Sequence, residues 1–166
     1  MRHLKEEDVW GLTFWDRGKC RDSFRALRYE GPYTPPSAQG SLLFPGPGGG
    51  GNWGGVAYDP SSNTLIVKSQ NIGFIFQLAP FDSEVEKNSF QHSALSRPMI
   101  GTPYRVNGFR WLSPWGVPCS PPPWGELMAF DLTTGETRWR IPLGQVSFGP
   151  FDWFTTPRAW GSPGTG

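Results

Sequence analysis

Glycine and proline recur so often along this chain that no long helix can form. The sequence holds 22 glycines and 18 prolines, together 40 of its 166 residues. In a helix interior glycine costs about 1 kcal/mol and proline about 3 kcal/mol relative to alanine. Their spacing therefore excludes a helical bundle and predicts short strands joined by long, ordered loops.

Aromatic residues argue against disorder despite this glycine and proline content. Trp, Tyr and Phe make up 15% of the chain, and disordered segments are depleted in such residues.

The length suits one domain. The 15 basic residues nearly balance the 14 acidic ones, for a net charge of +1, so the whole chain has no electrostatic footprint for nucleic acid or an anionic membrane.

No stretch of the sequence predicts a transmembrane helix or a signal peptide. The longest apolar run, 72–81, is interrupted by Gln77 and is far shorter than the ~20 residues that span a bilayer. The first eight residues are mostly charged and lack the apolar core of a signal peptide. Taken alone, the sequence predicts a cytoplasmic chain.

The two cysteines, Cys20 and Cys119, fit no metal-binding spacing. They are either two buried thiols or the ends of a long-range disulfide, which needs an oxidising compartment. His3 and His92 are equally isolated, and we expect no zinc site from these four residues.

A short amphipathic helix is predicted over 18–29. Cys20, Phe24 and Leu27 recur at helical spacing on one side, while three arginines between 21 and 28 share another. The arginine side is either a solvated basic face or an anion-binding cluster.

Four strands are predicted in close succession after the helix, at 41–44, 55–58, 64–68 and 73–78. Runs of Gly, Pro, Asp, Ser and Asn separate them. This spacing predicts an antiparallel meander in an all-β fold. The segment 81–124 is first polar, then rich in Pro and Trp, and its lack of periodicity predicts a loop excursion.

The clearest local signal is a hairpin within 127–141. Two alternating strands flank a turn in which Asp131 can accept backbone N–H bonds and Gly135 can take a positive φ. Ala129, Asp131, Gly135 and Trp139 follow the spacing of a β-propeller repeat in which the Ala and the Trp pack between neighbouring blades. Repeat units need neighbours to bury their apolar faces, and one signature is too few to close a ring.

The chain resembles the PQQ-dependent membrane-associated dehydrogenases of the glucose, quinate/shikimate and polyol type over nearly its whole length. The matching strings are long and unusual in composition. They include Asp8-Val9-Trp10-Gly11, Leu27-Arg28-Tyr29-Glu30-Gly31-Pro32, Gln39-Gly40-Ser41-Leu42, Asn52-Trp53-Gly54-Gly55, Pro118-Cys119, Pro123-Trp124-Gly125 and the Trp139 hairpin.

The resemblance implies an all-β fold that is part of an eight-bladed β-propeller. This chain then corresponds to about two to three blades, with long Gly/Pro/Trp-rich loops and one short helix, as a single incomplete propeller segment over 1–166. Its parts are a helical and loop insertion at 1–37, blade strands at 38–80, a loop excursion at 81–124, the Trp-motif hairpin at 125–145 and the start of the next blade at 146–166.

The resemblance also implies pyrroloquinoline quinone as cofactor, with calcium or magnesium beside it. A flat tricarboxylate quinone needs aromatic faces and cationic or amide donors, and a hard cation with oxygen ligands polarises the quinone. By resemblance the loop 48–55 brings Asn52 and Trp53 near the cofactor. The alternative is a flexible Gly-rich turn with a core Trp. A phosphate-binding loop is excluded because no Gly-Lys-Ser/Thr follows.

Lys68 and Asn71 are the other cofactor-binding candidates. The family tends to have an Asn where Lys68 stands; the lysine can pair a carboxylate or quinone oxygen but lacks the amide acceptor, and Asn71 can serve instead. The alternative for Lys68 is an edge-strand lysine in solvent. No residue here matches the catalytic Asp of the family, so we assign no catalytic residue and expect the isolated chain to be inactive.

By resemblance the parent protein is a quinoprotein oxidoreductase that oxidises CH–OH groups of a sugar, polyol or cyclic hydroxy acid and passes electrons to ubiquinone. Its partners are the remaining propeller blades, the substrate and ubiquinone. One alternative is a non-catalytic propeller scaffold. Another is a module that binds single-stranded nucleic acid through Trp and Arg, which the neutral net charge disfavours.

The resemblance also implies periplasmic localisation and association with the inner membrane through an upstream region. Members of the family carry Cys at both matching positions, so it favours a Cys20–Cys119 disulfide. Because the sequence itself has no predicted leader or span, we expect a truncated gene product or a gene fragment.

Overall fold

The computed structural model describes residues 3–51, 55–81, 96–145 and 157–161. Within them it contains one α-helix, α1 (Phe14–Ala26), and short 3-10 helices at Glu6–Asp8 and Arg158–Trp160. The strands are β1 (Ser41–Leu43), β2 (Val56–Asp59), β3 (Thr64–Gln70), β4 (Phe74–Pro80), β5 (Arg97–Pro98), β6 (Tyr104–Arg110), β7 (Gly125–Asp131) and β8 (Thr137–Pro142).

Helix α1 begins four residues before the predicted start at Gly18 because Thr13 caps it. The Thr13 Oγ1 accepts a hydrogen bond from the Asp16 backbone N at 3.2 Å, which satisfies a donor of the first turn. The helix ends at Ala26, so the predicted end at 29 is also corrected.

The apolar side of α1 anchors the main core. Cys20 is 1% exposed, and Phe24 and Leu27 pack around a buried cluster that includes Leu42 and Trp111. A disulfide joins Cys20 to Cys119, with the Cα atoms 5.5 Å apart. This bond ties the helix to the Trp-rich segment before β7, as the resemblance implied.

Two of the three arginines between 21 and 28 pair with carboxylates of the chain itself. Arg25 pairs with Glu6 at 2.5 Å, and Arg28, just past the helix, pairs with Glu30 at 2.7 Å. These hydrogen bonds hold the pKa of Glu6 and of Glu30 below the ordinary value. The pairs are exposed and contribute little to stability, so they support the solvated face rather than an anion site.

The eight strands form two antiparallel sheets of four. Sheet A has the order β1-β4-β6-β5 and sheet B the order β2-β3-β7-β8. The predicted meander of the first four strands is therefore wrong: β2 pairs with β3, but β1 pairs with β4 in the other sheet. Turn composition marks where strands end but does not determine which strands pair.

The predicted loop excursion at 81–124 is also corrected in part. Strand β6 lies inside it and pairs with β4 over seven residues, from Tyr104 opposite Pro80 to Arg110 opposite Phe74. The pair Asn107-Gly108 interrupts the alternation of β6, so its strand character depends on this pairing rather than on local propensity.

The Trp-motif hairpin forms as the sequence predicts. Ala129 of β7 faces Trp139 of β8, with a register shift after Ala129. In the turn, the Asp131 side chain accepts a hydrogen bond from the Thr133 N at 2.7 Å, and Gly135 has φ 76°. Ala129 is completely buried, so the turn and the small residue together fix how this edge of sheet B packs.

Ring contacts among three tryptophans hold the N-terminal segment against the start of β7. The rings of Trp10, Trp124 and Trp160 meet edge to face, with centroids 5.2–5.6 Å apart. The backbone N of Trp124 donates to the carbonyl of Trp160 at 2.6 Å. Residues near both ends of the described chain are thereby held at one end of sheet B.

Candidate functional site

The Gly-rich loop at 48–55 meets the end of β3 through Gly50. Asn52 and Trp53 lie outside the described residues, but Gly50 exchanges two backbone hydrogen bonds with Gln70, at 3.0 and 3.3 Å. This bridge anchors the loop two residues before Asn52. No described atom lies within 4 Å of where a Cβ would stand at Gly50 or Gly55, so both ends of the loop adjoin open space.

Lys68 lies on β3 opposite Leu127 of β7. Side chains alternate along a strand, so Lys68 shares its face of sheet B with Ile66 and, two strands away, with Ile141 and Trp139. The lysine is partly buried. It therefore projects from a largely apolar face, rather than from an exposed strand edge.

Asn71, just beyond the end of β3, connects that end to the loop before β7. Its Nδ2 donates to the Pro123 carbonyl at 3.2 Å and to the Glu126 Oε2 at 3.1 Å. Its backbone N donates to the Trp124 carbonyl at 2.9 Å, and its own carbonyl accepts from the Ser120 Oγ at 2.8 Å. Both amide hydrogens are thus used within the chain, which leaves the side-chain oxygen for a ligand.

A cleft of about 370 Å³ opens beside Asn71. It is bounded by the N-terminal segment, the prolines before β7 and one face of sheet B. The residues that line it are His3, Leu4, Asp8, Phe44, Ser69, Asn71, Pro121, Pro122, Pro123, Glu126, Met128 and Arg140.

Glu126 and Arg140 give this cleft its charge. Glu126 is only 6% exposed, and its Oε1 lies 3.5 Å from the Arg140 Nε. The arginine is well exposed, so it neutralises the carboxylate from the solvent side while Asn71 holds it from within. The lining of the cleft thus combines polar and charged side chains with apolar ones, among them the proline rings and Met128.

The structure places Lys68 and Asn71 on opposite sides of sheet B. Ser69 lines the cleft opposite Glu126, and its neighbour Lys68 therefore points from the opposite face of sheet B. Sequence reasoning missed Glu126 and Arg140. The only signal for Glu126 was one acidic residue at the start of an apolar strand, and its meeting with Asn71 depends on a strand register that the sequence does not show.

The aspartates with displaced pKa values lie at the other end of sheet B. The pKa of Asp131 is lowered mainly by the backbone N–H of Thr133, and that of Asp59 by the hydroxyl of Ser62. The Asp131 carboxylate also accepts from the Arg138 Nη2 at 2.6 Å. These bonds stabilise the turns and are remote from the cleft.

The described residues contain no cluster of His, Cys, Asp and Glu side chains that could hold a metal ion. Within residues 3–51, 55–81, 96–145 and 157–161, no three His, Cys, Asp or Glu residues are close enough together to hold an ion. In the same ranges, no helix is long and apolar enough to cross a membrane.

The family model described as "Glucose/ethanol/alcohol dehydrogenase, beta-propeller domain" matches residues 1–166. The chain is 41% identical over 156 residues to a probable quinate dehydrogenase (quinone) of Xanthomonas campestris pv. juglandis, covering 90% of this chain and 20% of the relative. It is 40% identical over 149 residues to the quinate/shikimate dehydrogenase (quinone) of Acinetobacter baylyi, covering 86% and 18%.

A third relative is the quinoprotein glucose dehydrogenase of Escherichia coli K12, 36% identical over 149 residues, covering 86% of this chain and 19% of the relative. The chain thus spans about a fifth of the length of these curated relatives. No solved structure matches it.

Proposed function

Because the chain belongs to the PQQ family of glucose, ethanol and alcohol dehydrogenases, as part of its β-propeller domain, we propose that it works within an oxidoreductase that oxidises a CH–OH group with pyrroloquinoline quinone. The match over all 166 residues is the observation that carries this proposal. The substrate is a sugar, a polyol or a cyclic hydroxy acid, since its relatives are named for glucose, glycerol and quinate, and the electron acceptor is ubiquinone.

The rest of the propeller is the first partner that this function requires. Both faces of sheet B carry exposed apolar side chains: Val56 and Tyr58 are 59% and 53% exposed, and Ile141 is 49% exposed on the other face. A four-stranded sheet with apolar residues on both faces is typical of a blade that packs between neighbours. Further blades would cover these residues.

Lys68 fits one part of the cofactor. The ammonium of Lys68 is partly buried, and its charge-assisted pairing with a carboxylate or a quinone oxygen is stronger than a neutral hydrogen bond. No described atom lies within 4 Å of a Cβ built at Gly50 or Gly55, which supports the proposal that the cofactor binds beside this loop. Lys68 would hold and orient the cofactor through its oxygen atoms, and the bound cofactor would supply the acceptor for the hydride of the alcohol carbon.

Asn71 has a different role in this proposal. Its amide hydrogens are held by Pro123 and Glu126 and it lines the cleft, away from the face of Lys68, so its proposed role is to position the end of β3. The described carboxylates do not form a site for calcium or magnesium. We assign them no metal ligand and derive no step through a metal.

The proposed location is the periplasmic side of the inner membrane. The Cys20–Cys119 disulfide supports an oxidising compartment, because such bonds are rare in the cytosol. The isolated chain is expected to be inactive, since no catalytic base has been assigned in it.

A dye-linked assay tests the proposal. The full-length protein that contains this chain is measured with added cofactor and calcium against quinate, glucose and glycerol, beside the 166-residue chain. We expect cofactor-dependent oxidation of at least one substrate by the longer protein and none by the chain. Absence of oxidation by the longer protein would favour the scaffold alternative, and oxidation that does not require the cofactor would contradict the proposal.

A further inference from the structure

The cleft beside Asn71 has the size of a small-molecule site. Its volume is about 370 Å³, and such sites measure roughly 300–1,000 Å³. Its walls belong to this chain: the N-terminal segment around Leu4, the prolines before β7 and one face of sheet B. That face is opposite to the face of Lys68, so the cleft is separate from the proposed contact with the cofactor.

Three polar side chains of the cleft lie close together at one end of sheet B. Ser69 is paired with Glu126 across β3 and β7, and residues directly opposite each other have Cβ atoms about 4.5–5.5 Å apart. Arg140 of β8 reaches the same carboxylate, with its Nε 3.5 Å from the Glu126 Oε1. A hydroxyl, a carboxylate and a guanidinium are thus presented together on one small area of the cleft wall.

These groups are not fully used within the part of the chain that the structure describes. Glu126 is 6% exposed, yet its Oε2 alone accepts a short hydrogen bond, from the Asn71 Nδ2 at 3.1 Å. The 3.5 Å between the Glu126 Oε1 and the Arg140 Nε is longer than the roughly 2.7–2.9 Å typical of charge-assisted hydrogen bonds. The Ser69 hydroxyl makes no hydrogen bond with another described residue. One carboxylate oxygen and one hydroxyl therefore remain for a ligand.

The charges of the cleft favour a neutral ligand. An anion drawn to Arg140 would meet the Glu126 carboxylate beside it, and a cation drawn to Glu126 would meet the guanidinium. A neutral compound with adjacent hydroxyl groups meets neither repulsion, because a hydroxyl both donates and accepts. The proline rings and Met128 offer apolar contacts to the carbon atoms of such a compound.

We propose that this cleft binds a small neutral compound with two adjacent hydroxyl groups on a saturated carbon skeleton. One hydroxyl donates to the Glu126 Oε1 and its neighbour accepts from Arg140. The Ser69 hydroxyl bonds to either of them, and the Asn71 Oδ1 is a further acceptor. The proposal goes beyond the dehydrogenase function, since this site does not include Lys68 and needs no cofactor.

Calorimetric titration with cis-1,2-cyclohexanediol tests the proposal. Cyclohexanol is the matched compound that lacks the second hydroxyl. Both are titrated, without cofactor, into the 166-residue chain and into the full-length protein that contains it. We expect both proteins to bind the diol saturably and to bind cyclohexanol about tenfold more weakly or less, because a hydrogen bond to a charged group is then lost.

Two variants remove partners of the ligand with little change in side-chain volume. Glu126→Gln should weaken diol binding about tenfold or more, and Ser69→Ala about fivefold, since a bond to a charged group is stronger than a neutral one. Glu136→Gln is the matched control, because Glu136 is exposed in the turn between β7 and β8, at the other end of sheet B. Circular dichroism and the intact disulfide mass check folding, and Ser69→Ala alone carries the test if Glu126→Gln does not fold.

Three results would overturn the proposal. These are no saturable binding of the diol, equal affinities for the diol and cyclohexanol, and equal effects of Glu126→Gln and Glu136→Gln. Binding by the chain but not by the full-length protein would also overturn it, because another part of the protein would then cover the cleft. Cofactor binding tests the dehydrogenase function separately, so either proposal can fail without the other.

Discussion

Asn71 holds the buried carboxylate of Glu126 at the end of sheet B, with 3.1 Å between the Asn71 Nδ2 and the Glu126 Oε2. This bond joins the end of β3 to the start of β7, where the Gly-rich loop also meets the sheet. The loop at 48–55, which carries part of the family resemblance, therefore meets sheet B next to the cleft beside Asn71, which the sequence did not predict.

Asn71→Asp should destabilise the protein by about 1–3 kcal/mol at neutral pH, because two carboxylates would then face each other and the Pro123 carbonyl would lose its donor. The denaturant midpoint measures the effect. In a Glu126→Gln background the same substitution should cost clearly less. Equal costs in both backgrounds would show that the contact does not stabilise this corner.

The disulfide should matter more than any single contact of α1. Closing a loop across the 99-residue separation of Cys20 and Cys119 constrains the unfolded chain strongly. Adding reductant should therefore lower the free energy of unfolding by about 2–5 kcal/mol. The Cys20→Ser/Cys119→Ser double variant is the control, and reductant should leave it unchanged. No difference between oxidised and reduced protein would contradict the prediction.

Ala129→Leu should destabilise the chain by about 1–3 kcal/mol, because Ala129 is completely buried opposite Trp139 and a larger side chain forces the sheet to shift. Ala57→Leu is the matched control: Ala57 lies on the same face in β2 but is exposed. Thermal unfolding of the two variants gives the comparison. Similar midpoints would mean that the small residue is not required at position 129.

Asp131→Asn tests the electrostatics of the hairpin turn. The pKa of Asp131 is lowered in the folded state, so its contribution to stability is present above the ordinary value of 3.8 and is lost as pH falls through the folded value. The variant should therefore be less stable than wild type at neutral pH and nearly equal to it well below pH 3.8. A constant difference across pH would contradict this account.

Local signals explain what the sequence predicted well. The β7–β8 hairpin carries its turn residues and its Ala129–Trp139 pair within one short stretch, so its form can be read without knowing the rest of the fold. Strand β6 could not be found this way, because Asn107-Gly108 breaks its pattern and its partner β4 lies well before it in the chain.

The same distinction between local signals and long-range pairing applies to the candidate site. The resemblance pointed to the loop at 48–55 and to Lys68, and local composition marked the loop. The contact of Asn71 with Glu126 and the position of Ser69 opposite Glu126 follow from the register between β3 and β7. Register is a tertiary property, so these relationships became visible only with the sheets assembled.

Cofactor titration tests the central claim most directly. Absorbance changes of pyrroloquinoline quinone would be recorded as the full-length protein that contains this chain is added, for wild type, Lys68→Ala and the surface control Lys5→Ala. We predict saturable binding that Lys68→Ala weakens about tenfold or more and Lys5→Ala leaves unchanged. Absence of saturable binding by the wild type would contradict the proposed function, and equal affinity in all three would contradict the role of Lys68.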